Sequence, residues 1–176
     1  AGKHVFVEKP LALVPEELVE MEEAYRQGST VLQVGFNRRF APLTTWAMDE
    51  LSSRDGPTCL IYRVNAGMIP ADHWIRSEEG GGRILGEFCH FIDFAQHVLA
   101  SPFQCVFAQH LRGGDPRVER DNVQVQLQCE NGSAATIVYV ANGDRSMRKE
   151  RVELFRGGAT VVIDDFHEGW LHASGK

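Results

Sequence analysis

The fold class is decided by residues 4–36, which open with His4-Val5-Phe6-Val7-Glu8-Lys9-Pro10 and close with Val31-Leu32-Gln33-Val34-Gly35-Phe36. Both ends are short runs rich in β-branched and aromatic residues, a composition typical of buried strands. From Pro15 to Gly28 the apolar residues recur at helical spacing. A strand, helix, strand unit builds parallel sheets, and one such unit cannot cover both faces of a sheet. We therefore expect residues 1–41 to be the tail end of a larger doubly wound domain whose beginning precedes this chain.

From residue 42 onward the pattern becomes strand-rich. A helix is predicted from Pro42 through Leu51, followed by strands at 59–64, 105–111, 123–129, 133–141, 152–155 and 160–163. Residues 123–129 alternate between apolar and polar, as a half-buried strand does, and Asn131-Gly132 is a strong hairpin turn. The sequence predicts an α/β (α+β) domain over residues 42–176, with an open, mostly antiparallel sheet covered by helices. No closing element is predicted around Trp170.

Composition excludes several classes of function. The net charge of −6 and the isoelectric point near 5.6 argue against nucleic acid as a partner, because neutralising phosphates requires clustered Lys and Arg. No apolar run approaches the roughly 18 residues of a membrane span. Four widely spaced cysteines are interpreted as buried free thiols of a reducing compartment: Cys59, Cys89, Cys105 and Cys129. We expect a cytoplasmic protein.

A helix predicted from Arg83 to about Ala100 carries a narrow polar seam. At about 100° per residue, five polar side chains fall within an arc of roughly 120°: Arg83, Glu87, His90, Asp93 and His97. The seam could line a cleft, or it could be an ordinary solvated face. A metal site is not expected, because the pair Glu87 and His90 lacks the second copy that a di-iron carboxylate site requires.

Lys9 is the second candidate for chemistry. It ends a buried strand, and ligands of open α/β sheets bind at the carboxyl ends of the strands. Pro10 favours an extended conformation at Lys9. The alternative is a surface lysine paired with Glu8. Trp74 either caps the core or offers a flat wall to a ring.

Three segments together resemble one family, that of glucose–fructose oxidoreductase, inositol dehydrogenase and the rhizopine catabolism proteins. Glu8-Lys9-Pro10 is similar to its EKP signature, and residues 34–42 are similar to the strand and turn that follow its next helix. Gly80-Gly81-Gly82, followed by residues 89–93 around His90, resembles its glycine turn and catalytic helix. The resemblance implies a two-domain oxidoreductase that binds NAD or NADP in a Rossmann domain, of which residues 1–41 would be the end. It also implies a homo-oligomer assembled through the open sheet.

The same resemblance implies hydride transfer at a secondary alcohol of a sugar, inositol or similar polyol. Lys9 would orient the reacting hydroxyl and His90 would be the general acid/base, with Glu87 beside it. Contacts to the cofactor would come from Glu8, Pro10, Asn37, Arg38 and Trp74. Contacts to the substrate would come from Lys9, Trp74, His90 and Asp93.

Two features depart from the family pattern. Gly86 stands where the family commonly has an Asp, four residues before the histidine, and Glu87 lies next to it. The pyrophosphate-binding glycine turn of a Rossmann domain does not occur in this chain. The alternatives to a dehydrogenase are a non-catalytic relative that serves as a binding or assembly module, and a relative that uses bound nucleotide for elimination chemistry.

Overall fold

The computed structural model describes residues 2–112 and 120–174. Its N-terminal part is the predicted strand, helix, strand unit, made of β1 (Val5–Val7), α1 (Pro15–Arg26) and β2 (Leu32–Val34). The two strands pair in parallel, with Val5 opposite Leu32 and Val7 opposite Val34. None of the residues of α1 is buried. The predicted parallel unit is confirmed, and the apolar side of its helix faces solvent in this chain.

The larger sheet contains seven of the described strands. Its strands are β3 (Cys59–Asn65), β4 (Phe103–His110), β5 (Val123–Cys129), β6 (Ala134–Val140), β7 (Glu150–Arg156), β8 (Ala159–Asp164) and β9 (Glu168–Ala173). The spatial order is β4-β5-β6-β3-β7-β8-β9. All neighbours are antiparallel except β3 and β6, which run parallel from Cys59 opposite Ala134 to Asn65 opposite Val140. The open, mostly antiparallel sheet is confirmed.

Two helices cover one face of this sheet. The helix α2 (Pro42–Ser52) contacts β8 and β9, and α3 (Cys89–Leu99) contacts β3 and β6. Alternate residues of the strands point into the core beneath these helices, because successive side chains of a strand face opposite sides. The largest fully buried side chains come from both layers: Leu60, Tyr62, Phe91, Phe94, Ile137 and Tyr139. The prediction that helices cover the sheet is confirmed.

The structure corrects three expectations. The chain does form a closing element: β9 pairs with β8 and places Trp170 opposite Val162, although residues 168–173 show only weak alternation. Only Cys129 is a buried thiol; Cys89 is half-buried, and Cys59 and Cys105 are exposed because they lie on the uncovered face of the sheet. The predicted continuous helix from Arg83 begins with a π-helical turn, Ile84–Phe88, before α3.

Within the described residues, no helix is long and apolar enough to cross a membrane. The boundary between residues 1–41 and 42–176 and the cytoplasmic location stay predictions.

Candidate active site

Lys9 lies where the parallel pair β1–β2 ends. Its half-buried side chain crosses to the helical layer, where Nζ donates a 2.7 Å hydrogen bond to the carbonyl oxygen of Gly86. Lys9 therefore does not adopt the surface pairing with Glu8 that the sequence left open. The Glu8 carboxylate packs instead beside Gly35, with Oε2 3.1 Å from where a Cβ of residue 35 would lie. Lys9 thus links the N-terminal unit to the helix that carries His90.

The glycine turn and the π-helical turn set the position of that helix. Gly80 packs directly on the backbone of Ile75, and a Cβ at Gly80 would lie 2.5 Å from Ile75 Cα, so only glycine fits there. A π-helical turn is wider than an α-helical turn and alters the phase of the residues that it contains. Glu87, inside the turn, therefore points toward β6, whereas His90, after it, points toward the N-terminal unit.

His90 lies under the turn that follows β2. Its side chain is only 9% exposed, and its ring meets Phe36 edge-on at a centroid distance of 5.9 Å. Its Nδ1 is buried and has no hydrogen-bond partner among the described residues. Burial, with the positive charges of Arg38 and Lys9, lowers the pKa of His90 to about 4. The imidazole is therefore neutral at pH 7 and can accept a proton.

Glu87, which the sequence analysis placed beside His90, is bonded to other groups. Its Oε2 accepts a 2.5 Å hydrogen bond from the Tyr139 hydroxyl and lies 3.7 Å from Arg83 Nε. Burial alone would raise the pKa of Glu87, but the Tyr139 hydrogen bond and the charges of Lys149, Arg83 and Lys9 lower it below its usual value. Glu87 is therefore a carboxylate at neutral pH.

Asp93, a further residue of the polar seam, is covered by the turn after β2 and is not on a solvated face. Arg39 makes two hydrogen bonds to the carboxylate of Asp93, one of them 2.9 Å long. Arg38 makes two hydrogen bonds to Glu150, of 2.7 and 2.5 Å, and lies 4.9 Å from the centre of the Phe91 ring. Arg38 and Asp93, the predicted cofactor and substrate contacts, are thus both engaged in ion pairs within the chain.

A crevice of about 320 Å³ opens at the carboxyl ends of β1 and β2. It is lined by Phe6, Glu8, Gln33, Val34, Gly35, Phe36, Asn37, Phe40 and His90. The crevice brings together Glu8, Asn37 and His90 from the predicted site. Pro10 is half-buried after Lys9. Trp74 lies in a short 3₁₀ turn, 68% exposed, and is not among the residues that line this crevice.

Sequence reasoning missed three residues of the site. Tyr139 on β6 binds Glu87, Glu150 at the start of β7 binds Arg38, and Lys149 lies 3.8 Å from Glu87. They are between 52 and 112 positions away from their partners, and no short motif reports such contacts. The one available signal was Arg38, which has no acidic neighbour in the sequence. A buried arginine requires an acidic partner, so one had to be supplied from elsewhere in the chain.

Family models match both parts of the chain. Residues 59–156 match the GFO/IDH/MocA C-terminal domain, which covers more than half of the chain. Residues 1–36 match a model described as an oxidoreductase family with an NAD-binding Rossmann fold.

Curated relatives agree with these matches. An uncharacterized oxidoreductase of Bacillus subtilis, YrbE, is 28% identical over 94% of this chain and 49% of its own length. Inositol 2-dehydrogenase 2 of Saccharopolyspora erythraea is 33% identical over 81% of this chain and 42% of its own length. The chain spans about half the length of the curated relatives that it matches.

A solved structure shows the same fold. The NAD binding oxidoreductase of Klebsiella pneumoniae superimposes with a TM-score of 0.85 at 21% identity, over 99% of this chain and 52% of that structure.

Proposed function

Because this chain belongs to the GFO/IDH/MocA family of oxidoreductases, we propose that the protein encoded by its complete gene oxidises a secondary alcohol of a sugar, inositol or similar polyol, using NAD or NADP. We refer to that gene product as the full-length protein. The observation that carries the proposal is that His90 lines a crevice at the carboxyl ends of two parallel strands, and that Lys9, next to the lining residue Glu8, is bonded to Gly86, four residues before His90. Crevices at this place bind ligands in open α/β sheets.

The protein groups supply positioning and proton transfer. The Lys9 ammonium, held by the Gly86 carbonyl, has further hydrogens to donate to the reacting hydroxyl oxygen. The neutral His90 imidazole accepts the hydroxyl proton as the carbon-bound hydrogen leaves as hydride, and a ketone remains. Bound NAD⁺ or NADP⁺ supplies the hydride acceptor. The proton on His90 then passes to solvent, so one alcohol yields one ketone, one reduced cofactor and one proton.

The crevice suits the nicotinamide end of such a cofactor. The polar side chains of Glu8 and Asn37 give it hydrogen-bonding groups, and Phe36 gives it an aromatic wall. We propose that Glu8, Pro10 and Asn37 contact the cofactor. Arg38 acts there through its ion pair with Glu150.

The test is a fluorescence titration of NADH into the full-length protein, with Lys9→Met and His90→Gln variants alongside. Saturable binding by all three, together with a loss of turnover of at least about 100-fold in both variants, is expected for acid–base and positioning residues. Arg26→Met, on the exposed face of α1, is the matched control. Binding without any effect of either variant on turnover would contradict the assigned roles.

Gly86 favours a second candidate, a non-catalytic binding or assembly module. It leaves His90 without a carboxylate that fixes its orientation among the described residues, and such a carboxylate normally supports a histidine base. Failure of the full-length protein to bind NADH would favour this candidate. Binding of NADH without exchange of labelled hydrogen between substrate and cofactor would favour elimination chemistry.

We also propose that the full-length protein is a homo-oligomer formed through the uncovered face of the large sheet. Three large apolar side chains point outward from that face: Ile61, Phe107 and Trp170, which are 40%, 58% and 43% exposed. Exposed apolar patches of this kind mark association surfaces.

A further inference from the structure

The acceptor of the Lys9 ammonium is a backbone carbonyl inside the π-helical turn Ile84–Phe88, that of Gly86. Gly86 has no side chain of its own that could fix this carbonyl. Single π-helical turns inside helices occur frequently at functional sites. The position of Lys9 Nζ therefore depends on the contacts that hold the turn around Gly86.

Glu87, the next residue, ties the turn to the large sheet. Its Oε2 accepts a 2.5 Å hydrogen bond from the hydroxyl of Tyr139, a fully buried residue of the interior strand β6. The same oxygen lies 3.7 Å from Arg83 Nε, and Oε1 lies 3.8 Å from Lys149 Nζ. A hydrogen bond to a charged group is roughly twice as strong as one between neutral groups. Glu87 is thus bonded firmly to a strand in the middle of the sheet.

Two further contacts hold the same turn. Arg83, just before it, has a side chain that is 4% exposed, and two nitrogens of this side chain donate to the carbonyls of Gly67 and Ala66 at 2.5 and 2.8 Å. Gly86 packs closely on Ile75, since a Cβ at residue 86 would lie 2.9 Å from Ile75 Cδ1. The turn is therefore also held by the segment after β3 and by the 3₁₀ turn that contains Ile75.

We propose that Glu87 and Tyr139 are positioning residues, whose hydrogen bond holds the Gly86 carbonyl where it directs the Lys9 ammonium toward the reacting hydroxyl. This inference rests on the proposed function, in which Lys9 donates to that hydroxyl. Neither Glu87 nor Tyr139 lines the crevice at the ends of β1 and β2, and neither transfers a proton in this arrangement. A displacement of about 1 Å, caused by a change far from the chemistry, can lower turnover by roughly 100-fold.

The first measurement tests whether this contact holds Lys9, and it requires no turnover. The full-length protein is treated with trace amounts of formaldehyde and dimethylamine borane, and peptide mass spectrometry gives the methylation rate of Lys9 relative to the exposed Lys3. The variants are Tyr139→Phe, which removes the donor, and Glu87→Ala, which removes the acceptor. Glu87→Gln is the conservative variant, because its amide oxygen can still accept from Tyr139.

We expect Tyr139→Phe and Glu87→Ala to raise the relative methylation of Lys9 roughly 3- to 10-fold, the range that the loss of one hydrogen bond provides. Glu87→Gln should raise it less. Ile163→Val is the control for a general loss of stability, because it shortens a fully buried side chain on β8, three strands from β6, and it should leave the methylation of Lys9 unchanged.

The second measurement is the oxidation of myo-inositol and glucose by the same variants, each made with and without Lys9→Met. Tyr139→Phe and Glu87→Ala should lower kcat about 10-fold, while KM and the Kd for NADH change less than about 2-fold, because misplacement of Lys9 affects the transition state more than binding. In the Lys9→Met protein, Tyr139→Phe should lower kcat no further, because residues that act through one another are not additive.

The outcomes separate this inference from the proposed function. Unchanged methylation of Lys9 in Tyr139→Phe, equal methylation gains in Ile163→Val, or a loss of kcat that is as large in the Lys9→Met protein would each refute the positioning role and leave the dehydrogenase intact. Raised methylation of Lys9 in a full-length protein that neither binds NADH nor oxidises an alcohol would support the contact that holds Lys9 and contradict the dehydrogenase.

Discussion

The ion pair between Arg38 and Glu150 should stabilise the sheet more than any other polar contact of the site. Its side chains are 15% and 8% exposed, and the Tyr62 hydroxyl donates to the same carboxylate. Burial alone would raise the pKa of Glu150, but the Arg38 hydrogen bonds lower it below its usual value, so the group stays charged. Replacing Arg38 with Met leaves this buried carboxylate without its cation. Removal of one member of a buried pair costs about 3–5 kcal/mol.

Native-state hydrogen exchange of the β3 and β7 amides in the full-length protein measures this cost, because it reports the opening free energy of this sheet alone. The variants are Arg38→Met, Glu150→Gln and the double variant, in which the loss should be smaller than the sum of the two single losses. Arg26→Met is the control; its pair with Glu22 is 74% and 59% exposed, and its loss should cost no more than about 0.5 kcal/mol. A cost below about 1 kcal/mol for Arg38→Met, or additive single losses, would refute the reasoning.

Three further predictions concern His90, the uncovered sheet face and the cysteines. The acid limb of kcat/KM should lie near pH 4 rather than 6.5, because the lowered pKa keeps the His90 imidazole neutral down to about pH 4. The free energy of unfolding should fall as the pH drops below about 6.5, since His90 takes up a proton in the unfolded chain but not in the folded one. His90→Gln should lessen that fall in urea titrations. Phe107→Lys, on the uncovered sheet face, should lower the mass of the full-length protein in light scattering, whereas Lys3→Met should not, and an unchanged mass would rule out this face as the interface. A thiol reagent should label Cys59 and Cys105 in the Phe107→Lys protein well before Cys129, as mass spectrometry of the peptides can show; equal rates would contradict the placement of Cys129 in the core.

The parts that sequence predicted well are those that depend on local pattern. The unit β1–α1–β2, the turn at Asn131-Gly132 and the alternating strand 123–129 all appear where their periodicity indicated. Strand β9 was missed because residues 168–173 have only weak alternation and gain their place by pairing with β8. The exposure of Cys59 and Cys105 was missed because apolar neighbours along a strand do not reveal which face is covered.

Some residues of the candidate site could also be singled out from local pattern, and others could not. Lys9 and the polar seam that contains His90 were singled out from position and residue type, and the family resemblance supplied their proposed roles. The sequence did not reveal the residues that pair with those of the site, Tyr139, Lys149 and Glu150. It also did not reveal the π-helical turn, which directs Glu87 to Tyr139 instead of His90.

The sequence by itself determined most of the elements, their approximate bounds and the family, because hydrophobic periodicity and short motifs act over a few residues. Only the tertiary structure decided which charges neutralise each other. Arg38 meets Glu150 across 112 positions and Lys9 meets Gly86 across 77. These contacts are set by how α3 packs on the sheet and by the order of the strands. An ion pair contributes several kcal/mol only where that packing removes water from it.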